Sequence, residues 1–316
     1  MKITLATPSS PRPGVVTGNE VTAARWASIF TDLGHSVVSS PDEADLLVAL
    51  HARRSAPAVR AFHDRPVIVA LTGTDLYQDL PGDEDARESL RRASRVVVLQ
   101  PGALDVLDAP TRMKTVVIYQ SARPLHGVAK VEDAFQVCLI AHLREVKDPF
   151  VAAEATRRLP ADSRLRLVHA GAAFSEPMRL RASELVTLNP RYLWLGGIGH
   201  LESRRVIARS HLMLLTSRFE GGANALSEAL AADVPIVACR APGVEGLLGG
   251  SYPGLFGSGE IDELVRLLIS AEQDAGFRTD LENACRSLAT LVDPALEKSA
   301  WAQLLAGVSG SGATFG

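Results

Sequence analysis

The sequence predicts an α/β protein of two Rossmann-like, doubly wound lobes with its site in the cleft between them. Three observations predict this. Short apolar runs rich in β-branched residues recur along the 316 residues. They lack the polar alternation of half-exposed strands, which suits parallel strands buried on both faces. Amphipathic stretches separate the runs, and repeated strand–helix–strand order implies parallel sheets covered by helices. Finally, Gln120–Asp133, with Pro124, His126, Gly127 and Lys130, has no sustained apolar period and reads as a linker between two series of runs.

In chain order the first series is Ile3–Thr7, His35–Ser39, Leu46–Leu50, Val67–Leu71, Val96–Leu99 and Val116–Tyr119. After its first run a helical pattern over Val21–Leu33 stops at Gly34, a residue that ends helices in the left-handed conformation at little cost. Trp26 on that helix is expected in the core, with Arg25 beside it in a structural role. The second series is Phe135–Ala141, Leu165–His169, Tyr192–Leu195, Leu212–Thr216, Pro235–Ala238 and Gly254–Phe256. Amphipathic segments follow at Ile261–Gln273, Phe277–Leu291 and Pro294–Leu305, and the Gly/Ser-rich tail Gly307–Gly316 is expected to fray. The organisation is therefore a first lobe over 1–130, a second over 131–292, and a last helix and tail over 293–316, the helix placed to return to the first lobe. In such folds sites lie beyond the carboxyl ends of the strands, here in the cleft.

Composition narrows the function. Hydrophobic residues at 47% and charged residues at 22% suit globular cores rather than disorder. A net charge of −3 gives no general basis for nucleic-acid binding. No run approaches the ~18 apolar residues of a membrane span, and Met1–Pro8 lacks the apolar core and cleavage site of a secretory leader. Cys138, Cys239 and Cys285 show neither paired nor metal-type spacing. The first two sit in apolar runs, where a thiol acts as a small hydrophobe. A cytoplasmic protein with no nucleic-acid or membrane partner is the expectation; oligomeric state is left open.

The run Leu212–Leu230 passes from strand to turn to glycines to helix, with Leu226, Ala229 and Leu230 at the spacing that faces a sheet. Glu220 stands in the turn and Glu228 about one turn into the helix. Gly221 and Gly222 leave backbone amides open to a ligand, and a helix N-terminus favours an anion such as a diphosphate. A carboxylate on either side can accept hydrogen bonds from sugar hydroxyls. The same residues also fit a plain glycine turn beside acids that serve the helix end.

The surroundings carry a resemblance. Leu214–Gly246, including Val234-Pro-Ile-Val-Ala and Pro242-Gly-Val-Glu-Gly, is similar to the donor-site signature of the retaining glycosyltransferases of family four, which have the GT-B fold. That family places two glutamates with seven residues between them around Gly-Phe-Gly, the first on the donor sugar and the second on the ribose. The resemblance implies those roles for Glu220 and Glu228, with Gly221, Gly222, Ala223 and Asn224 in place of the usual glycines. The family's diphosphate clamp, Arg, four residues, then Lys, is matched by Leu139-Ile-Ala-His-Leu-Arg-Glu-Val-Lys with Lys147 in register. His142 holds the arginine position as a ligand or a packing residue, and Arg144 can supply the guanidinium that His cannot. Leu195-Gly-Gly-Ile-Gly-His resembles the loop that holds the base, implicating Gly197 and Ile198.

The first lobe departs from the general pattern. Ala70-Leu-Thr-Gly-Thr-Asp puts Thr72 where the family has a histidine near the sugar, and keeps Asp75, which also fits a backbone-capping role. Thr17-Gly-Asn-Glu opens a helix, placing Gly18 and Asn19 at a second anion-friendly terminus. His51, Arg53 and Arg54 follow a buried strand, where they can hold a multiply charged anion or form a solvated basic loop. Together these strings resemble the selenosugar synthases of selenoneine biosynthesis, which join selenophosphate to the sugar of UDP-N-acetylglucosamine. The resemblance implies a UDP-sugar donor in the second lobe, selenophosphate in the first, and no cofactor or metal. A hydroxyl acceptor, as in other family-four enzymes, and a non-catalytic UDP-sugar-binding or scaffold protein are the alternatives.

Overall fold

The computed structural model describes residues 1–10, 12–73 and 75–310; of the tail Gly307–Gly316 expected to fray, residues 307–310 continue the last helix and 311–316 lie outside the described residues. The first sheet contains β1 (Lys2–Ala6), β2 (Ser36–Val37), β3 (Leu46–Leu50), β4 (Val67–Leu71), β5 (Arg95–Val98) and β6 (Thr115–Val117) in the order β2-β1-β3-β4-β5-β6. The second contains β7 (Phe135–Ile140), β8 (Leu165–Ala170), β9 (Tyr192–Trp194), β10 (Leu212–Leu215), β11 (Ile236–Cys239) and β12 (Leu255–Phe256) in the order β12-β11-β10-β7-β8-β9. All pairings between these strands are parallel. The doubly wound α/β fold is therefore as the sequence predicts.

Strand β3 shows why these runs lack alternation. Leu46, Val48 and Leu50 enter one core and Leu47 and Ala49 the other, so both faces are dry. The expected run at His35–Ser39 shortens to Ser36–Val37, both exposed, because an edge strand has one neighbour to pair with. The first long helix begins at Gly18, earlier than its apolar pattern suggests, because Thr17 and Glu20 form a reciprocal capping box. It ends before Gly34, whose φ is 84°. The last helix, Pro294–Gly310, runs past its expected end at Leu305.

That last helix lies on the first lobe. Trp301 packs edge-on against Trp26 and Phe30, with ring centroids 4.7 and 4.9 Å apart. On the same helix Glu297 is buried, and its carboxylate accepts from Arg25 Nε (2.9 Å), Trp26 Nε1 (2.7 Å), Ser121 N (3.0 Å) and Ser121 Oγ (2.5 Å). Arg25 then reaches Asn224 Oδ1 and Gln120 Oε1, each at 2.8 Å. Gln120 Nε2 donates to the Gly222 carbonyl at 2.6 Å. The segment read as a linker is thus buried at Gln120 and Ser121 and carries bonds between the lobes.

Each sheet reverses its winding once, between β1 and β3 and between β7 and β10. Ligands in open parallel sheets bind outside the carboxyl ends at such switch points, and both face the cleft here.

Leaving a buried ion-pair partner uncompensated costs about 3–5 kcal/mol. Glu297→Leu is expected to lower unfolding stability by about that amount, measured as a fall in urea midpoint. Glu297→Gln, which keeps acceptor capacity, is expected to lose less.

Candidate active site

A cavity of about 300 Å³ lies between the lobes, lined by residues that follow β1, β3, β4 and β6 on one side and β7, β8, β9 and β10 on the other. Of the residues singled out from the sequence, Gly18, Asn19, His51, Arg54, Thr72, His142, Arg144, Lys147, Ile198, Glu220, Gly222, Ala223, Asn224 and Glu228 line it. Arg53, Asp75, Gly197 and Gly221 do not.

The second-lobe wall is organised by one ion pair. Lys147 Nζ stands 2.5 Å from Glu220 Oε1. The pair forms because β7 and β10 are neighbours, so the loops that follow them meet. Thr216 Oγ1 donates to the Lys147 carbonyl at 2.8 Å and Arg218 N to the Val146 carbonyl at 3.0 Å, tying the loops together. From behind, Gly243 abuts the Glu220 carbonyl so closely that a Cβ there would stand 1.8 Å from its oxygen. Only glycine allows that approach. Glu228 is nearly buried and lies 2.5 Å from His200 Nε2, giving the wall a second fixed carboxylate.

His142 is held by backbone on both ring nitrogens. Its Nδ1 accepts from Ala172 N at 3.1 Å, which makes Nε2 the donor to the Val16 carbonyl of the first lobe, also at 3.1 Å. Burial, then the charges of Lys147 and Arg144, lower its pKa despite the bond to Val16. It is a neutral latch between lobes, with no nitrogen left to reach into the cavity, so the reading of His142 as a ligand gives way to the packing one. Arg144 behaves differently. Its side chain makes no hydrogen bond or ion pair among the described residues, and its nearest ring partner is Phe174, 5.5 Å to the centroid. Burial and the charge of Arg54 across the cleft push its pKa down, while Glu220 pushes it up.

On the first-lobe wall His51 is buried with a left-handed φ of 73°. Its ring lies 3.9 Å from Asp75 and 3.7 Å from Asp79, and burial dominates in lowering its pKa. Gly18 and Asn19 line the cavity, but Glu20 accepts from Thr17 N at 2.6 Å, so that helix terminus already has its own carboxylate.

Several expectations are corrected. Arg53 turns away from the cleft to pair with Asp79 (3.1 Å) and Asp83 (2.9 Å). Asp75 is fully buried and accepts from Ala52 N and Gly73 N, the capping role. Gly221 does not offer open space to a ligand: a Cβ there would stand 2.6 Å from the Thr72–Gly73 backbone, so the first lobe occupies its approach. The Asn224 amide is engaged with Gly18, Thr22 and Arg25, which makes it a strut between lobes. Gly197 packs near Ala172, outside the cavity, whereas Ile198 lines it. An Asp-x-Asp sequence at Asp83–Asp85 serves helix capping and surface ion pairs. Among the described residues no three His, Cys, Asp or Glu cluster as a metal site, and no helix is long and apolar enough to cross a membrane.

The sequence reading missed His200, Gln120 and Phe174. His200 sits inside the Gly-rich string already noticed, so its position was available, but its partner Glu228 is 28 residues away. Gln120 was absorbed into a presumed linker.

Two doubly wound lobes with a cleft site at facing switch points define the GT-B class of glycosyltransferases, and the solved structures agree. The fold matches Anabaena HepE in complex with UDP and glucose at TM-score 0.75 and 18% identity, covering 97% of this chain and 100% of that one. It matches the sucrose-phosphate synthase of Thermosynechococcus elongatus at TM-score 0.80 and 13% identity, covering 98% and 99%. A UDP-forming α,α-trehalose-phosphate synthase from Burkholderia vietnamiensis matches at TM-score 0.64 and 11% identity, covering 82% and 74%. No curated protein matches the chain. Residues 126–288 match the family Glycosyl transferases group 1, and the chain belongs to that family.

Beneath the loop that carries His142, His169 is fully buried, with Nε2 2.8 Å from the Ala141 carbonyl and Nδ1 2.8 Å from Tyr192 Oη. Burial pushes its pKa down from 6.5 to about 4. The unfolded chain therefore binds more protons than the folded one between these values. Stability is full above pH 6.5 and is lost as pH falls toward 4, by about 3 kcal/mol for this one group. Urea midpoints measured across that window are expected to fall with pH in the native protein, and less steeply in His169→Gln.

Proposed function

We propose that this glycosyltransferase transfers the sugar of UDP-N-acetylglucosamine to selenophosphate, forming a carbon–selenium bond and releasing UDP. The observation that carries the donor half is the Lys147–Glu220 pair at the β7–β10 switch point, facing the first lobe across the cavity. HepE has been solved with UDP-glucose, which supports a UDP-sugar as donor. In this reading residues 131–292 hold the donor and residues 1–130 the acceptor.

An ammonium has three donors. Lys147 gives one to Glu220, leaving two for diphosphate oxygens. Glu220 orients the sugar hydroxyls and Glu228, held by His200, the ribose. As the anomeric C–O bond breaks, its electron pair passes to the diphosphate, and the fixed positive charge of Lys147 offsets the charge that develops there. The new bond forms from an electron pair on anionic selenium, so no proton has to be removed from the nucleophile. Thr72 in place of a histidine fits a reaction that needs no general base. The scheme uses no cofactor or metal. Direct contact between the lobes limits water at the reacting carbon.

The test is UDP release from UDP-N-acetylglucosamine with selenophosphate, thiophosphate, phosphate and simple alcohols offered in parallel. Turnover with the selenium and sulfur nucleophiles is expected. Turnover with alcohols alone would overturn the acceptor, and binding of the donor without any turnover would make the chain a binding protein. Lys147→Met is expected to lower kcat/KM by about 10²–10³-fold, measured at subsaturating donor.

A further inference from the structure

The cavity holds more positive charge than its own carboxylates answer. Lys147 is paired with Glu220, and Glu228 with His200. Arg54 enters from the loop after β3 in the first lobe and Arg144 from the loop after β7 in the second, and both line the same cavity. Neither guanidinium makes a hydrogen bond or an ion pair among the described residues, whereas the adjacent Arg53 is held by two aspartates. The two are close enough for the charge of Arg54 to act on Arg144. Thr72 also lines the cavity, and its hydroxyl is shut from solvent with no hydrogen-bond partner. Two like charges brought together from separate lobes repel, and a buried hydroxyl without a partner costs about 1–3 kcal/mol. One tetrahedral oxyanion answers all three: it supplies negative charge to both guanidinium forks and an acceptor to the hydroxyl.

We infer that Arg54, Arg144 and the Thr72 hydroxyl form a second anion subsite, which takes a small tetrahedral dianion alongside the nucleotide diphosphate. This deepens the proposed function and rests on it in taking the Lys147–Glu220 side as the diphosphate's. Because its ligands come from both lobes, the subsite is complete only when the cleft is closed. It selects acceptors that carry a phosphate-like group over neutral alcohols, and it draws the lobes together when that group is bound. His51, beside Arg54 and anchored by Asp75 and Asp79, sets the shape of the loop that presents Arg54.

Inorganic phosphate and thiophosphate are the probes, titrated calorimetrically into the full chain, free and saturated with UDP. Phosphate is expected to bind the UDP-saturated protein. Arg54→Gln is expected to weaken phosphate by roughly ten-fold or more and Thr72→Val by a smaller factor, with UDP affinity within about two-fold of native. Arg53→Gln, whose guanidinium lies outside the cavity, serves as a folded control that leaves phosphate binding intact. Mutually exclusive binding of phosphate and UDP would overturn the inference, since it would mean one anion site. Equal weakening of UDP and phosphate by Arg54→Gln would overturn it as well. Failure of the native protein to bind UDP would sink the donor reading instead, and the phosphate titration of the free protein with the same variants would still decide the subsite.

Discussion

The cleft depends on one buried carboxylate. Glu297 gathers donors from the first-lobe helix and from the crossing segment, and the Arg25 it holds reaches to the second lobe. Through Arg25, Gln120 and Asn224 the same network ends on the Gly222 carbonyl and the start of the helix that carries Glu228. A charge so deeply buried is stable only when its partners are complete. The network therefore ties four separate stretches of chain to one arrangement, and the distance across the cavity follows from it.

Close approach completes what the network begins. Gly243 lets a helix press against the Glu220 carbonyl, and Gly221 lets the second lobe touch the backbone of the Thr72–Gly73 turn. A side chain at either place would force the loops apart. The consequence is chemical as well as steric. Glu220 is held where Lys147 can reach it, and Thr72 lines the same cavity as cations from both lobes. The same contacts that shape the site also shield it, which strengthens every electrostatic interaction inside.

Much of this was legible in the residues. Buried parallel strands show themselves as continuous apolar runs because both faces are dry, so β3, β4 and β7 were found within a residue or so. Glu220 and Glu228 stood out from the strand–turn–glycine–helix run, and Lys147 from the resemblance of its string to a family motif; the three line one cavity. The errors fell elsewhere. Arg53 and Arg54 are identical by sequence, yet one is held by Asp79 and Asp83 and the other lines the cavity. His142 was weighed as a ligand because nothing local reveals that Ala172 and Val16 take both its nitrogens. Gln120 looked like linker because its partners, Thr22, Arg25 and Gly222, are 95 or more residues distant.

The division has a physical cause. Periodicity, capping and turn chemistry act over a few residues, so the sequence by itself determined two doubly wound lobes, their strand ends and the turn and helix that carry Glu220 and Glu228. Contacts between lobes join residues with no local relation, so only the tertiary structure decided which polar groups face the cavity and which brace it. Asn224 and His142 became braces, Arg54 and Arg144 came to line one cavity, and the glycines after Glu220 became a surface for the other lobe.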